Sequence, residues 1–196
     1  MPEFDKDLRS KQEARDLATR AFAAWKQWTS ATQEQVDRVC AAMATAALDG
    51  SERLGILAHH ETGYGVPEHK HLKNIFASKN VWESIKYQKT VGVIRHDVDR
   101  KLYEIAWPVG VIAGLTPSTN PTSTVMYKIL VAVKARNAIV IAPHPAAANC
   151  CYETVRIMAQ AAEENGAPPG LISCMQNISL EGTQELMHHK YVALIL

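Results

Sequence analysis

Two short segments carry residue types able to do chemistry at one place. Pro117-Ser118-Thr119-Asn120-Pro121 offers hydroxyls and a carboxamide between prolines, and Pro143-His144-Pro145 offers an imidazole between prolines. Each follows an apolar, β-branched run, Val109–Leu115 and Ala138–Ala142, of the composition found in fully buried parallel strands. Prolines mixed with small polar residues make a turn. Pro121 then suits the first helical position, where its missing N–H costs nothing. A crossover of this length returns the chain parallel to its start. The loop therefore sits at the carboxyl end of a parallel strand, the edge where open α/β sheets bind ligands, and the second strand ends at the same edge. Hydroxyls, an amide and a helix N-terminus there can stabilise a nicotinamide ribose, a phosphate or a developing oxyanion. The same residues are also what tight loops contain, and His144 also reads as a half-exposed loop histidine.

Other reactive side chains read as structural. Cys150-Cys151 lies near a helix start, where the macrodipole raises thiolate content. No spacing pairs either thiol with a base, as covalent catalysis requires, so both read as small residues packing a helix on a sheet. Cys40 and Cys174 read as core. His59-His60, His69, His71 and His188-His189 lack the spacing of a zinc site and read as solvated helix faces, so no metal is expected. Glu61 beside Thr62-Gly63 reads as local capping and turn chemistry rather than a general base. No G-x-G-x-x-G follows a strand, so the common dinucleotide fingerprint is absent.

The elements that must position these residues follow from periodicity. Leu8, Ala14, Leu17, Ala21, Phe22, Trp25 and Trp28 mark an amphipathic helix over 7–28. Thr32 can cap a second helix over 33–48, and Gly50 suits its end. Further helices are expected over 51–62 and 67–86. Thr90–Asp97 and Lys101–Trp107 read as a β-hairpin turning at Asp97–Arg100. From Pro108 the pattern is strand, helix 121–135, strand 138–142, helix 146–165, strand 171–176, helix 180–189 and strand 191–196, the alternation of a wound α/β sheet. Trp25, Trp28 and Trp82 read as packing on the helical side.

The 196 residues suffice for one sizeable core. With 21 basic and 20 acidic residues, no nucleic-acid face driven by phosphate neutralisation is expected. No apolar run approaches the roughly 20 residues of a membrane helix. The charged start MPEFDKDLRSKQEARD is not a secretory signal. The 4 cysteines lack disulfide-framework spacing and suit a cytoplasmic location.

With these residues in place, the chain resembles the CoA-acylating branch of the aldehyde dehydrogenase superfamily, the acetaldehyde dehydrogenase (acetylating) type. Pro108–Gly114, Pro117, Thr119–Thr124, Arg136-Asn137 and Pro143-His144-Pro145 match that branch, and Glu61–Gly65 and Lys70…Lys73-Asn74 also fit. The resemblance covers essentially the whole chain. It implies an α/β fold: an N-terminal helical part of the cofactor-binding domain (1–89), an oligomerisation-flap-like β-hairpin (90–107), and a truncated Rossmann-like segment (108–196).

By that resemblance the full-length relative binds NAD or NADP and converts a short-chain aldehyde plus CoA to acyl-CoA. It also implies a cytoplasmic homo-oligomer with neither nucleic-acid nor membrane partner. Ser118, Thr119 and Asn120, with Pro117, would serve the nicotinamide and oxyanion side; Pro143, His144 and Pro145 would serve the adenosine side. The branch has asparagine fourth in the Pro-to-Pro loop, here Asn120, where most of the superfamily has it third, here Thr119. That leaves open which side chain faces the carbonyl oxygen. Ala142 stands where many non-acylating relatives carry a ribose-binding lysine. The family's nucleophilic cysteine is expected beyond Leu196, so an N-terminal fragment is expected, inactive alone, with Tyr191–Leu196 a core strand missing its covering helix. The alternatives are a non-catalytic nucleotide-binding or assembly fragment, and an acyl-phosphate reductase of the same superfamily. Acetaldehyde, propionaldehyde and sulfoacetaldehyde users share these motifs.

Overall fold

The computed structural model describes residues 5–196; the first four residues of the charged N-terminal stretch lie outside the described residues. Helix α1 (Lys6–Trp28) buries Ala14, Leu17, Ala21 and Trp28 of the expected face, with Ala18 besides, while Phe22 and Trp25 are partly buried and Leu8, expected on that face, is exposed. Helix α2 (Gln33–Asp49) starts at a reciprocal cap. Gln35 N donates to Thr32 Oγ1 (3.2 Å), and Thr32 N donates to Gln35 Oε1 (2.8 Å). Helix α3 (Ser51–Thr62) ends at Gly63, whose φ of 69° is the left-handed conformation glycine favours. Gly50 ends α2 as expected, as its C-cap, with a φ of −82° that does not itself demand glycine. A Cβ there would lie 3.0 Å from Ile157 Cδ1.

The helix expected over 67–86 is interrupted. Helix α4 (Pro67–Ile75) passes through a widened π-turn, Phe76–Asn80, into α5 (Val81–Ile85). The buried Ser78 hydroxyl donates to Asn74 O (2.7 Å) and Ile75 O (3.3 Å), competing with amides for the helix carbonyls.

Two sheets follow. Strands β1 (Gly92–Asp97) and β2 (Leu102–Ala106) form an antiparallel hairpin. Strands β3 (Val111–Thr116), β4 (Ala138–Pro143), β5 (Ile172–Cys174) and β6 (Val192–Ile195) form a parallel sheet in the order β5-β4-β3-β6. The first crossovers run through α6 (Pro121–Lys134) and α7 (Ala148–Glu164), the last through α8 (Leu180–His188). The chain steps outward from β3 to β5 and returns on the other side of β3, which puts a topological switch point at β3. Helix α6 packs with α7, and α1 with α8, each pair also touching the sheet. The second pair meets closely: a Cβ on Gly182 would lie 1.8 Å from Ser10 Oγ.

Strand β4 is buried throughout, whereas β6, expected as a core strand missing its covering helix, is partly exposed. It lies at the sheet edge, so Leu194 and Ile195 stay 43% and 51% exposed. Arg136-Asn137 clamps backbone groups of neighbouring segments. Arg136 sits at φ 58° and donates to Thr29 O (2.6 Å) and Ala106 O (2.9 Å). Asn137 Oδ1 accepts from Val109 N (2.8 Å) and Gly110 N (3.1 Å), fixing the entry into β3.

Candidate functional site

The register pairs Thr116 with Pro143, so β3 and β4 leave the sheet side by side. His144 N donates to Thr116 O (3.0 Å), extending the ladder into the junctions. Between them opens a cleft of about 520 Å³, walled by Leu115–Pro117, Ala142–Pro145, and Ile178–Leu180 with Thr183. Pro117, Pro143, His144 and Pro145 thus share one cavity. Its remaining wall is the N-terminus of α8, where Ser179 Oγ accepts from Gly182 N (3.0 Å). His144 Nδ1 accepts from Ala146 N (3.1 Å), so the proton of the neutral ring lies on Nε2, which remains a donor. No lining residue carries a carboxylate, ammonium or guanidinium group.

Ser118, Thr119 and Asn120 do not line that cleft. Thr119 and Asn120 are held by α4 instead. Lys70 Nζ donates to Thr119 O (3.0 Å) and Lys73 Nζ to Asn120 Oδ1 (2.7 Å). Lys70 is 5% exposed, and burial lowers its pKa. Below the loop, Thr122 Oγ1 donates to Asn74 Oδ1 and Asn74 Nδ2 to Ser51 O, each at 2.8 Å and both buried. A second, mostly apolar cavity of about 530 Å³ opens beside Ser123, Thr124 and Tyr127 of α6 and Leu72, Phe76 and Val81 across from them. The cleft therefore adjoins Pro117 at the start of the loop, and the second cavity adjoins the first turns of α6 beyond it.

The cysteines are packing residues. All four are buried and free. Burial pushes the Cys40 thiol up to about 12 and Cys174 well above its usual value. Cys150 is also pushed up, first by its contact with Cys151 and then by burial. Thiolate formation at Cys150 is thus opposed, although a helix starts there. Glu61 occupies that helix start, accepting from Asn149 N (2.8 Å) and Cys150 N (2.7 Å). The expectation of purely local capping by Glu61 is corrected: it closes a helix distant in sequence. The solvated-face reading of the histidines is corrected for His59, whose Nδ1 is buried without a partner, and for His189, whose pKa burial lowers. Among the described residues, no group of three His, Cys, Asp or Glu side chains can hold a metal.

Sequence reasoning missed Ser179 and Thr183 as cleft walls, and Lys70 and Lys73 as supports of the loop. The strand order supplies the first pair, since β5 lies beside β4. The three-residue spacing of Lys70 and Lys73 on one helix face was the available signal for the second.

Comparison with known proteins points to one family. The sequence profile of the aldehyde dehydrogenase family matches residues 6–196. The chain is 42% identical over 180 residues to the bifunctional aldehyde-alcohol dehydrogenase AdhE of Escherichia coli, covering 92% of this chain and 20% of that protein. A crystal structure of an acetylating aldehyde dehydrogenase from Geobacillus thermoglucosidasius superposes with a TM-score of 0.97 at 51% identity, over 98% of this chain and 43% of that one. Rhodopseudomonas palustris propionaldehyde dehydrogenase with bound propionyl-CoA is 28% identical, with a TM-score of 0.77, over 93% of this chain and 40% of the other. The chain thus spans well under half the length of these relatives. With nearly every described residue matched in sequence and superposed in space, the chain belongs to the aldehyde dehydrogenase family.

Proposed function

We propose that this chain supplies the nucleotide-binding part of an acylating aldehyde dehydrogenase, which converts a short aldehyde and CoA to acyl-CoA. The observation that carries the reading is the single cleft into which two adjacent β-to-α junctions open at the carboxyl ends of parallel strands. The cleft's apolar walls suit a base, the His144 ring N–H can donate to a ribose oxygen, and Thr183 Oγ1, which donates its own proton to Ser179 O (3.0 Å), can accept from a ribose hydroxyl, so the residues fit a dinucleotide's adenosine half. NAD or NADP bound there supplies the hydride acceptor. With neither carboxylate nor cation in its walls, the cleft selects for neither the free ribose hydroxyl nor its phosphate.

Pro117, Pro143, His144 and Pro145 take the adenosine side in this reading. Ser118, Thr119 and Asn120 take the nicotinamide and carbonyl side. The apolar cavity beyond the loop suits the aldehyde's carbon chain. Acyl transfer needs a thiolate to attack the carbonyl and the CoA thiol to release the acyl group. None of the buried cysteines described above can serve, so the nucleophile is assigned to residues other than these. The hairpin is assigned to contact between subunits, and the division 1–89, 90–107 and 108–196 is retained as helical part, flap and Rossmann-like segment.

The test is NADH formation from acetaldehyde and CoA by the purified 196-residue chain. No turnover above a heat-killed control is expected, together with perturbation of the His144 ring signals by NAD+ or NADP+. Turnover would place the nucleophile within this chain and overturn the assignment. Indifference of His144 to both nucleotides would favour an assembly unit without cofactor. The Thr119-Asn120-Pro121 and Pro143-His144-Pro145 signatures weigh against an acyl-phosphate reductase.

A further inference from the structure

Arg136 holds a backbone conformation that works against its own side chain. Its φ is 58°, in the left-handed region where glycine is the ordinary occupant. Among the described residues the one other non-glycine residue with a positive φ is Lys101, in the exposed turn of the hairpin. A glycine at 136 would meet the same turn without strain, so the guanidinium group must offset the cost of an arginine there. That group is buried, with the residue 5% exposed. Nη1 donates to Thr29 O in the α1–α2 connection (2.6 Å), and Nη2 donates to Ala106 O at the end of β2 (2.9 Å). The Trp107 ring lies beside it, with its centroid 6.0 Å from Cζ.

The hairpin that Arg136 touches has little else to fix its direction. Strands β1 and β2 pair with each other and with no strand of the parallel sheet. A two-stranded sheet standing alone is marginal, so its orientation depends on the two legs that join it to the body. Both legs are tied to the segment Lys134–Asn137, where α6 ends and leads into β4. On the entry leg, Thr90 Oγ1 donates to Lys134 O (2.6 Å) and Thr90 N to Gln33 Oε1 (2.8 Å). Gly92 follows that anchor at the start of β1, with φ 71°, and a Cβ there would meet nothing within 4 Å. The entry anchor is thus separated from the strand by a permissive residue. On the exit leg, Arg136 grips the last residue of β2 itself.

We infer that Arg136 is a positioning residue that aims the hairpin: its guanidinium locks the exit leg to the α1–α2 connection and so fixes the direction in which the hairpin meets a second copy of this chain, a role in assembly that rests on the assignment of the hairpin to subunit contact made above. The strain of a left-handed arginine is offset at the point where the arm leaves the body. The two acceptors lie on different segments, and the planar fork of a guanidinium reaches both, whereas the single ammonium of a lysine is a point donor.

The test uses the 15N-labelled 196-residue chain and compares backbone order parameters of β1 and β2 with those of β3 and β4. Arg136→Gly suits the left-handed backbone and removes the guanidinium group. In the native chain all four strands should give values near about 0.85, and in Arg136→Gly the hairpin should fall below about 0.6 while β3 and β4 keep theirs. Arg136→Lys should lower the hairpin values likewise. Thr90→Val, which removes a tie on the entry leg alone, should leave them native. Sedimentation should show weaker self-association for Arg136→Gly than for the native chain. Native hairpin order in Arg136→Gly, a loss of order that spreads into β3 and β4, an equal loss in Thr90→Val, or undiminished association of the Arg136→Gly chain would each overturn the inference. A native chain that stays monomeric would overturn the subunit-contact reading, and with it the role in assembly, while the order parameters decide separately whether Arg136 holds the arm.

Discussion

At the sheet rim, strands β3 and β4 are buried on both faces, and the loops that leave them are cross-tied by Lys70, Lys73, Asn74 and His144. The β1–β2 hairpin mixes apolar with charged residues, and Ile105 within it and Val98 and Trp107 beside its strands are 61%, 70% and 73% exposed. Its internal support is a stack of His96 on Tyr103 and an exposed Arg95–Glu104 ion pair. The rim holds its shape from within this chain, whereas the hairpin presents an apolar surface that the chain itself does not cover. Stability and association should therefore separate by region.

The largest effect is expected from Asn74→Ala. It strands the Ser51 carbonyl and the Thr122 hydroxyl in a buried place, at about 1–3 kcal/mol for each group left unpaired. Urea titration should show a lower midpoint with an unchanged slope. A midpoint equal to the native one would remove the contrast between rim and hairpin. Glu61→Ala is expected to cost about 0.5–2 kcal/mol, because two amides at the start of α7 lose their acceptor. Faster hydrogen exchange at the Cys150 amide would locate that loss. The smallest change in stability, within about 0.5 kcal/mol, is expected for Ile105→Thr. Sedimentation should nonetheless show weaker self-association for that variant. A large drop in melting temperature without a change in association would mean that the hairpin is supported internally after all.

The legible parts were those encoded by local periodicity and turn chemistry. The Thr32 cap, the alternation after Pro108 and the pairing of the two junctions all follow from residues close in sequence. What stayed hidden depends on partners far apart. Glu61 reaches Asn149 and Lys73 reaches Asn120 only after the helices have packed. The π-turn at Phe76–Asn80 depends on a buried serine hydroxyl competing for helix carbonyls, which periodicity does not reveal. Arg136-Asn137 was legible as a motif but not as a backbone clamp, because its acceptors lie on segments remote from it.

The buried thiols have a practical corollary. Cys40, Cys150, Cys151 and Cys174 are spread over α2, α7 and β5, and each is sealed from solvent. An alkylating reagent such as iodoacetamide can reach them only when the surrounding elements separate. Mass spectrometry of the alkylated peptides would then time the opening of each layer, giving the fold an internal clock that needs no added label.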